Sequence, residues 1–302
     1  MAIDFFEGQR QVSSWGSRMN AFHRSTVFKK TTGACLVLGL YVTVGHIIEN
    51  YFQWTVHLDF ESITLLGGVM SLLLVLRSNS AYERWWEGRK LWGQLVNDSR
   101  NLALKIMAMV DAPGSEKIEC TQWSICFPYL LRDHLRDGLP KGDGLALAPE
   151  KIPDEISHLP AYVSGKLYSF LRKWRDAGLL NKLDHHLIDK HISALMDICG
   201  ACERIRNTPP PMSHRALIPQ LLIVYLVITP LSVEPTFTNA TMGFALAYFL
   251  IGLEVLAEEL EEPFGLDSDD LPLDKICGNI QRSLDEIRRP ASEHATDPPP
   301  NA

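Results

Sequence analysis

Apolar positions in this chain fall into four dense runs separated by polar stretches. The first, residues 31–48 (TTGACLVLGLYVTVGHII), contains no Asp, Glu, Lys or Arg, and its length suits one helical crossing of a membrane. Glu49 closes it, and Tyr51, Phe52 and Trp54 follow in the manner of an interfacial aromatic belt. The second run, Ile63–Leu76, would give only about 21 Å of helix at 1.5 Å per residue, short for a span that faces lipid. No proline occurs from Ser80 to Val110 and helix formers dominate there, so the pattern predicts that this helix continues past the membrane as a polar one. The third run, Ala216–Leu231, carries Pro219 and Pro230 near its ends, where proline is best tolerated. The fourth, Ala240–Leu253, contains Ala240, Gly243, Ala247 and Gly252, small residues that permit close helix packing.

Basic residues orient these runs. Arg24, Lys29 and Lys30 precede the first, Arg77, Arg84, Arg89 and Lys90 follow the second, and His214 and Arg215 precede the third. The connectors 49–62 and 232–239 contain no Lys or Arg. The positive-inside rule therefore places both termini in the cytoplasm and predicts a multi-pass protein of the inner membrane. The chain divides into a cytoplasmic N-terminal segment (1–30), a transmembrane hairpin (31–79), a cytoplasmic helical region (80–212), a second hairpin (213–257), an acidic segment with a helix (258–289) and a disordered tail (290–302). A Gly- and Pro-rich loop is expected over 137–166, and the triple proline 209–211 breaks the chain before the third run.

Bulk composition conceals all of this. Hydrophobic residues are 46 % of the chain and the mean hydropathy is −0.02, averages that suit a soluble protein. The net charge of −7 gives no reason to expect nucleic acid. Six scattered cysteines read as reduced thiols rather than a disulfide framework. No early apolar core follows the basic residues of the first 30, so insertion is expected to rely on the spans themselves.

Candidate chemistry is sparse. Gly68, Leu72 and Leu76 recur at i, i+4, i+8 on one helical face. Around an axis shared by several copies, that face would form apolar rings able to gate by dewetting; on a single helix it is equally a lipid-facing or packing surface. Glu254, Glu258 and Glu261 share another face. Hydrated, they would concentrate cations in a vestibule; the alternative is pairing with Arg84, Arg89 or Lys90. Asp267, Asp269 and Asp270 form a short acidic loop, solvated on the first reading and a calcium site at Asp267 and Asp270 on the second. Cys199 and Cys202 have redox-motif spacing without its context, and Asp184, His185, His186, Asp189 and His191 match no known ligand spacing and read as a solvated face. No nucleophile and base are paired, so no enzyme is indicated.

The run RSNSAYERWWEGRKLWGQLVNDSRNLA, with Arg84-Trp85-Trp86, resembles the bacterial branch of the bestrophins, and EEPFGLDSDDLPLD (261–274) is similar to that family's Pro-Phe-Gly plus acidic segment. The resemblance covers about residues 20–288. It implies an all-α homopentamer in a lipid bilayer whose central pore passes small ions, anions in the animal branch and cations in at least some bacterial members. Gly68, Leu72 and Leu76 then fall at the family's neck, where Ile and Phe are usual, and Leu183 falls near a second, cytoplasmic constriction, the alternative being a buried packing leucine. The acidic loop corresponds to a calcium clasp of the animal branch that bacterial relatives generally lack, so no cofactor is required. The bacterial resemblance and the acidic stripe together point to monovalent cations such as Na⁺ and K⁺, with chloride as the alternative. A non-conducting scaffold, a secondary transporter and a soluble helical protein with buried core helices are the readings from other classes; no inverted repeat supports the transporter.

Overall fold

The computed structural model describes residues 15–52, 60–136, 144–232 and 236–295. These residues are helical almost throughout: α1 (Trp15–Arg24), α2 (Thr26–Phe52), α3 (Phe60–Met109), α4 (Gly114–Leu135), α5 (Leu159–Asp176), α6 (Lys182–Asn207), α7 (Met212–Ile228) with a 3-10 turn (Thr229–Ser232), α8 (Phe237–Leu260) and α9 (Leu273–Ala295). Four of them are long and apolar enough to cross a membrane, at Thr26–Phe52, within Glu61–Met109, at Arg215–Ser232 and at Phe237–Leu260. The expected continuation of the second span is present, since α3 runs unbroken for 50 residues, about 75 Å at the rise of an α-helix.

Two compact units share the chain, Met1–Trp85 with Pro209–Asp270, and Trp86–Thr208 with Leu271–Ala302. In the first, Ile63, Met70 and Leu74 of α3 pack on Ile218, Leu222 and Tyr225 of α7 and Leu250 of α8. Cys35 of α2 packs on Ala247 and Ile251 of α8. The opposite surfaces stay apolar and uncovered, with Leu36, Val37, Leu40, Val44 and Ile47 of α2 all exposed. Such a surface suits acyl chains, and the helices satisfy their own backbone groups as a membrane demands.

Tyr225 of α7 approaches α3 closely at Gly67. A Cβ built there would lie 2.5 Å from Tyr225 Oη and 3.1 Å from its Cζ, whereas one at the adjacent Gly68 would meet nothing within 4 Å. Gly67→Ala is therefore expected to cost about 1–3 kcal/mol by pushing α7 off α3, while Gly68→Ala leaves stability nearly unchanged. Thermal unfolding of the two variants in detergent checks this contrast.

In the second unit α4 is the central helix. Ten of its residues in sequence, Trp123–Arg132, are buried, Ile125, Cys126, Phe127, Leu130 and Leu131 completely, the pattern of a helix covered on every side. Packed against α4 are α9 and α5, and α6 packs on α5. Trp92 and Leu95 of α3, Trp123, Trp174 and Leu195 are among the large side chains enclosed. Local signals set the boundaries: Asn181 caps α6 by accepting Asp184 N–H, and Gly178 at φ 74° closes the end of α5.

Two boundaries differ from expectation. α5 begins at Leu159, inside the stretch expected to be loop to 166, because Pro160 falls in the first turn, where its missing N–H costs nothing. α9 runs past Pro290 to Ala295, so 290–295 are helical rather than disordered, and 296–302 lie outside the described residues. Trp54 of the expected aromatic belt lies outside them too.

Asp274 ties the first turn of α9 to the end of α4, accepting Arg132 Nη1 at 2.6 Å and Arg136 Nη1 at 2.9 Å. Burial pushes its carboxyl up, but Arg136 and Arg132 outweigh burial and hold it below the usual carboxylate range. A lowered folded pKa means the stabilisation is present above the ordinary value of about 3.9 and is lost as pH falls through the folded value. Asp274→Asn is expected to cost about 1 kcal/mol at neutral pH, discounted for solvent, and progressively less at a strongly acid pH, as the lowered carboxyl of the folded state takes up its proton. Denaturant melts at neutral and acid pH read the difference.

Candidate functional site

α3 has two unlike faces. Met70, Leu74, Arg77 and Ala81 are buried, at helical spacings that put them on one side. On the other side Leu65, Leu72 and Leu76 are exposed, Leu72 by 60 % and Leu76 by 57 %. Glu61, Thr64, Leu65, Gly68, Val69 and Leu72 line a shallow groove along it. Gly68, Leu72 and Leu76 thus lie together on an open apolar face, and Gly68 forms a notch because it has no side chain to fill the space.

Behind that face lies a charged network centred on Arg77. Arg77 is 4 % exposed. Its Nη2 lies 3.1 Å from Glu254 Oε1 and 3.4 Å from Glu261 Oε1, and its Nη1 donates to the Arg215 carbonyl at 3.0 Å. Arg215 Nε in turn lies 2.9 Å from Glu261 Oε2. One guanidinium thereby joins α3, the start of α7 and the end of α8. Two of the three acidic-stripe residues, Glu254 and Glu261, are committed to these cations, and Glu258 is exposed. The pairing cations are Arg77 and Arg215, whereas Arg84 donates through Nε to the Glu261 carbonyl at 3.2 Å. The available signal was that Arg77 continues the buried Met70–Leu74 face rather than the Leu76 face.

The acidic loop is organised by its own bonds. Asp270 Oδ2 accepts Asp267 N–H at 2.6 Å, Trp85 Nε1 donates to the Asp269 carbonyl at 3.0 Å, and Thr26 N–H donates to Ser268 Oγ at 3.3 Å. Burial, and then Asp267, push the Asp269 carboxyl up. Asp267 and Asp270 are thus coupled through a turn-closing bond.

In the second unit Leu183 is 69 % exposed, so it is not a buried packing leucine. The 184–191 stretch is not wholly solvated either. His191 is buried, with Nδ1 2.8 Å from Asp98 Oδ1 and Nε2 2.8 Å from Lys105 Nζ. All six cysteines are free and buried. Burial pushes the Cys199 thiol up to about 12 and Cys202 higher still, so neither presents the thiolate that redox chemistry requires.

A family model described as Bacterial/Fungal Bestrophin protein matches residues 8–286. The chain belongs to the bestrophin family. Among curated relatives of this bestrophin, voltage-dependent anion channel-forming protein sll1024 of Synechocystis is 33 % identical over 72 % of this chain and 74 % of its own. The channel-forming protein alr2987 of Nostoc is 33 % identical with the same coverage. YneE of Escherichia coli K12, also named a voltage-dependent anion channel-forming protein, is 28 % identical over 93 % of this chain and 95 % of its own. The crystal structure of a point mutant of a bacterial bestrophin homolog from Klebsiella pneumoniae superposes with a TM-score of 0.76 at 24 % identity, covering 84 % of this chain and 97 % of that one. The bestrophin fold, all-helical with four candidate membrane spans, is therefore shared, and this is a membrane protein.

Proposed function

We propose that several copies of this bestrophin, five by the family resemblance, surround an axis lined by the open face of α3 and pass small monovalent ions passively down their gradient. The observation that carries this reading is the two-sidedness of α3. One face is committed to α7 and α8, while Gly68, Leu72 and Leu76 remain uncovered and apolar. A ring of such faces is a hydrophobic constriction where ion dehydration is the main barrier. The Lys- and Arg-free connectors support an inner-membrane protein with both termini in the cytoplasm.

Anions such as chloride are the first reading of selectivity. The curated relatives carry names as anion channel-forming proteins, and the pairing of Glu254 and Glu261 with Arg77 and Arg215 removes most of the acidic-stripe argument for cations. A reading in favour of Na⁺ and K⁺ keeps one support, because Glu61 lines the same groove as Gly68 and Leu72. No calcium is required in either case. Planar-bilayer recording under asymmetric KCl decides between them. A reversal potential near the chloride equilibrium value supports the anion reading, one near the potassium value supports the cation reading, and absence of current sinks the channel and leaves a scaffold.

A further inference from the structure

Three elements of the second unit converge on one carboxylate. His134 is in the last turn of α4, His158 is the N-cap of α5, and Glu203 is near the end of α6. Both imidazoles direct Nε2 at the same atom, Glu203 Oε1, at 2.6 Å from His134 and 2.9 Å from His158. The two rings lie 4.7 Å apart, and one ligand atom from each of the three residues falls within 4.8 Å of the others. Their side chains are 24 %, 38 % and 28 % exposed, which leaves a path for an ion and its waters. The frame is firm: Arg206 Nη1 donates to the His134 carbonyl at 2.8 Å, and Leu135, Cys199 and Cys202 are buried beside the cluster.

The geometry points to a divalent transition-metal site formed by His134, His158 and Glu203, with two imidazole nitrogens and one carboxylate as ligands and water in the open position. This donor set suits zinc and its neighbours and not calcium or magnesium, which prefer all-oxygen shells. The three residues come from helix ends 24 and 45 positions apart in sequence, as their numbers show, so no ligand spacing reveals them.

His158 gives the site a distinctive property. Histidine is not among the favoured N-cap residues, yet its Nδ1 accepts Ala161 N–H at 3.1 Å. The neutral ring in this arrangement carries its proton on Nε2, where it donates to Glu203. A metal ion bound at Nε2 displaces that proton. It transfers to Nδ1, and Nδ1 can then no longer accept from Ala161. Metal uptake and the cap of α5 therefore compete for one ring.

The test uses the full-length protein in detergent, stripped with chelator and titrated with Co²⁺ as an optical probe, followed by Zn²⁺ competition. One Co²⁺ per chain is expected, with visible ligand-field bands that Zn²⁺ abolishes. His134→Ala and Glu203→Gln are each expected to weaken binding at least tenfold. His158→Asn should do the same while keeping α5 intact, because asparagine is a strong N-cap. His186→Ala, on an exposed position of α6, should bind as the parent does. Helicity by circular dichroism establishes that the variants are folded. Substoichiometric binding by the parent, or affinities of folded His158→Asn and Glu203→Gln within twofold of it, would overturn the site. The readout is independent of ion conduction, so neither result bears on the channel reading.

Discussion

Arg77→Ala is expected to destabilise the membrane unit by about 3–5 kcal/mol, the usual consequence of removing one partner from a buried ion pair. The guanidinium is 4 % exposed, and it lies against Glu254 and Glu261, the latter also 4 % exposed. Deleting the cation leaves two carboxylates close together, with Arg215 on the far side of Glu261 in partial compensation. It also removes the donor to the Arg215 carbonyl that fastens the start of α7. The melting temperature in detergent should fall by on the order of 10 °C. Arg77→Lys retains the charge but not the planar fork, and should lose part of this stability. Replacing Arg77 by Leu together with Glu254 and Glu261 by Gln should recover most of the loss, because the unpaired charge is the costly feature rather than the absence of the bridge. A melting temperature unchanged in Arg77→Ala would show that the network contributes nothing.

The second large effect is on ion flux rather than stability. Leu72 and Leu76 project from a face that the described residues leave exposed. If that face lines the axis, Leu72→Ala and Leu76→Ala widen the constriction and should each raise flux about tenfold, a lowering of the barrier by about 1.4 kcal/mol. Gly68→Leu should act in the opposite direction and by a similar factor, since it fills the notch where a Cβ meets no neighbour within 4 Å. All three changes lie on the open side of α3, so melting temperatures should stay near that of the parent. Flux into liposomes and single-channel conductance report the outcome. Currents indifferent to all three substitutions would place the neck elsewhere.

The existence of four apolar helices and the continuation of α3 past its apolar run were legible because their causes are local. An apolar run of sufficient length partitions into a membrane whatever surrounds it, and a stretch without proline propagates a helix one hydrogen bond at a time. The face that holds Gly68, Leu72 and Leu76 was legible for the same reason, as a consequence of the helical repeat alone. What the sequence could not indicate was which side of each element would be covered. Gly67 and Gly68 are indistinguishable as neighbours in a chain, yet one admits the ring of Tyr225 and the other faces open space.

The charged residues show the same division. The acids after the fourth run read from sequence either as a hydrated stripe or as partners for Arg84, Arg89 or Lys90. The tertiary structure chose Arg77 and Arg215 instead. Likewise His134, His158 and Glu203 have no common motif and meet only because three helix ends do. Helix formation and membrane insertion are decided within a few turns, so the sequence alone determined them. A buried ion pair or a cluster of ligands depends on which distant side chains are brought within about 3–4 Å, and only the packing of one helix on another decides that.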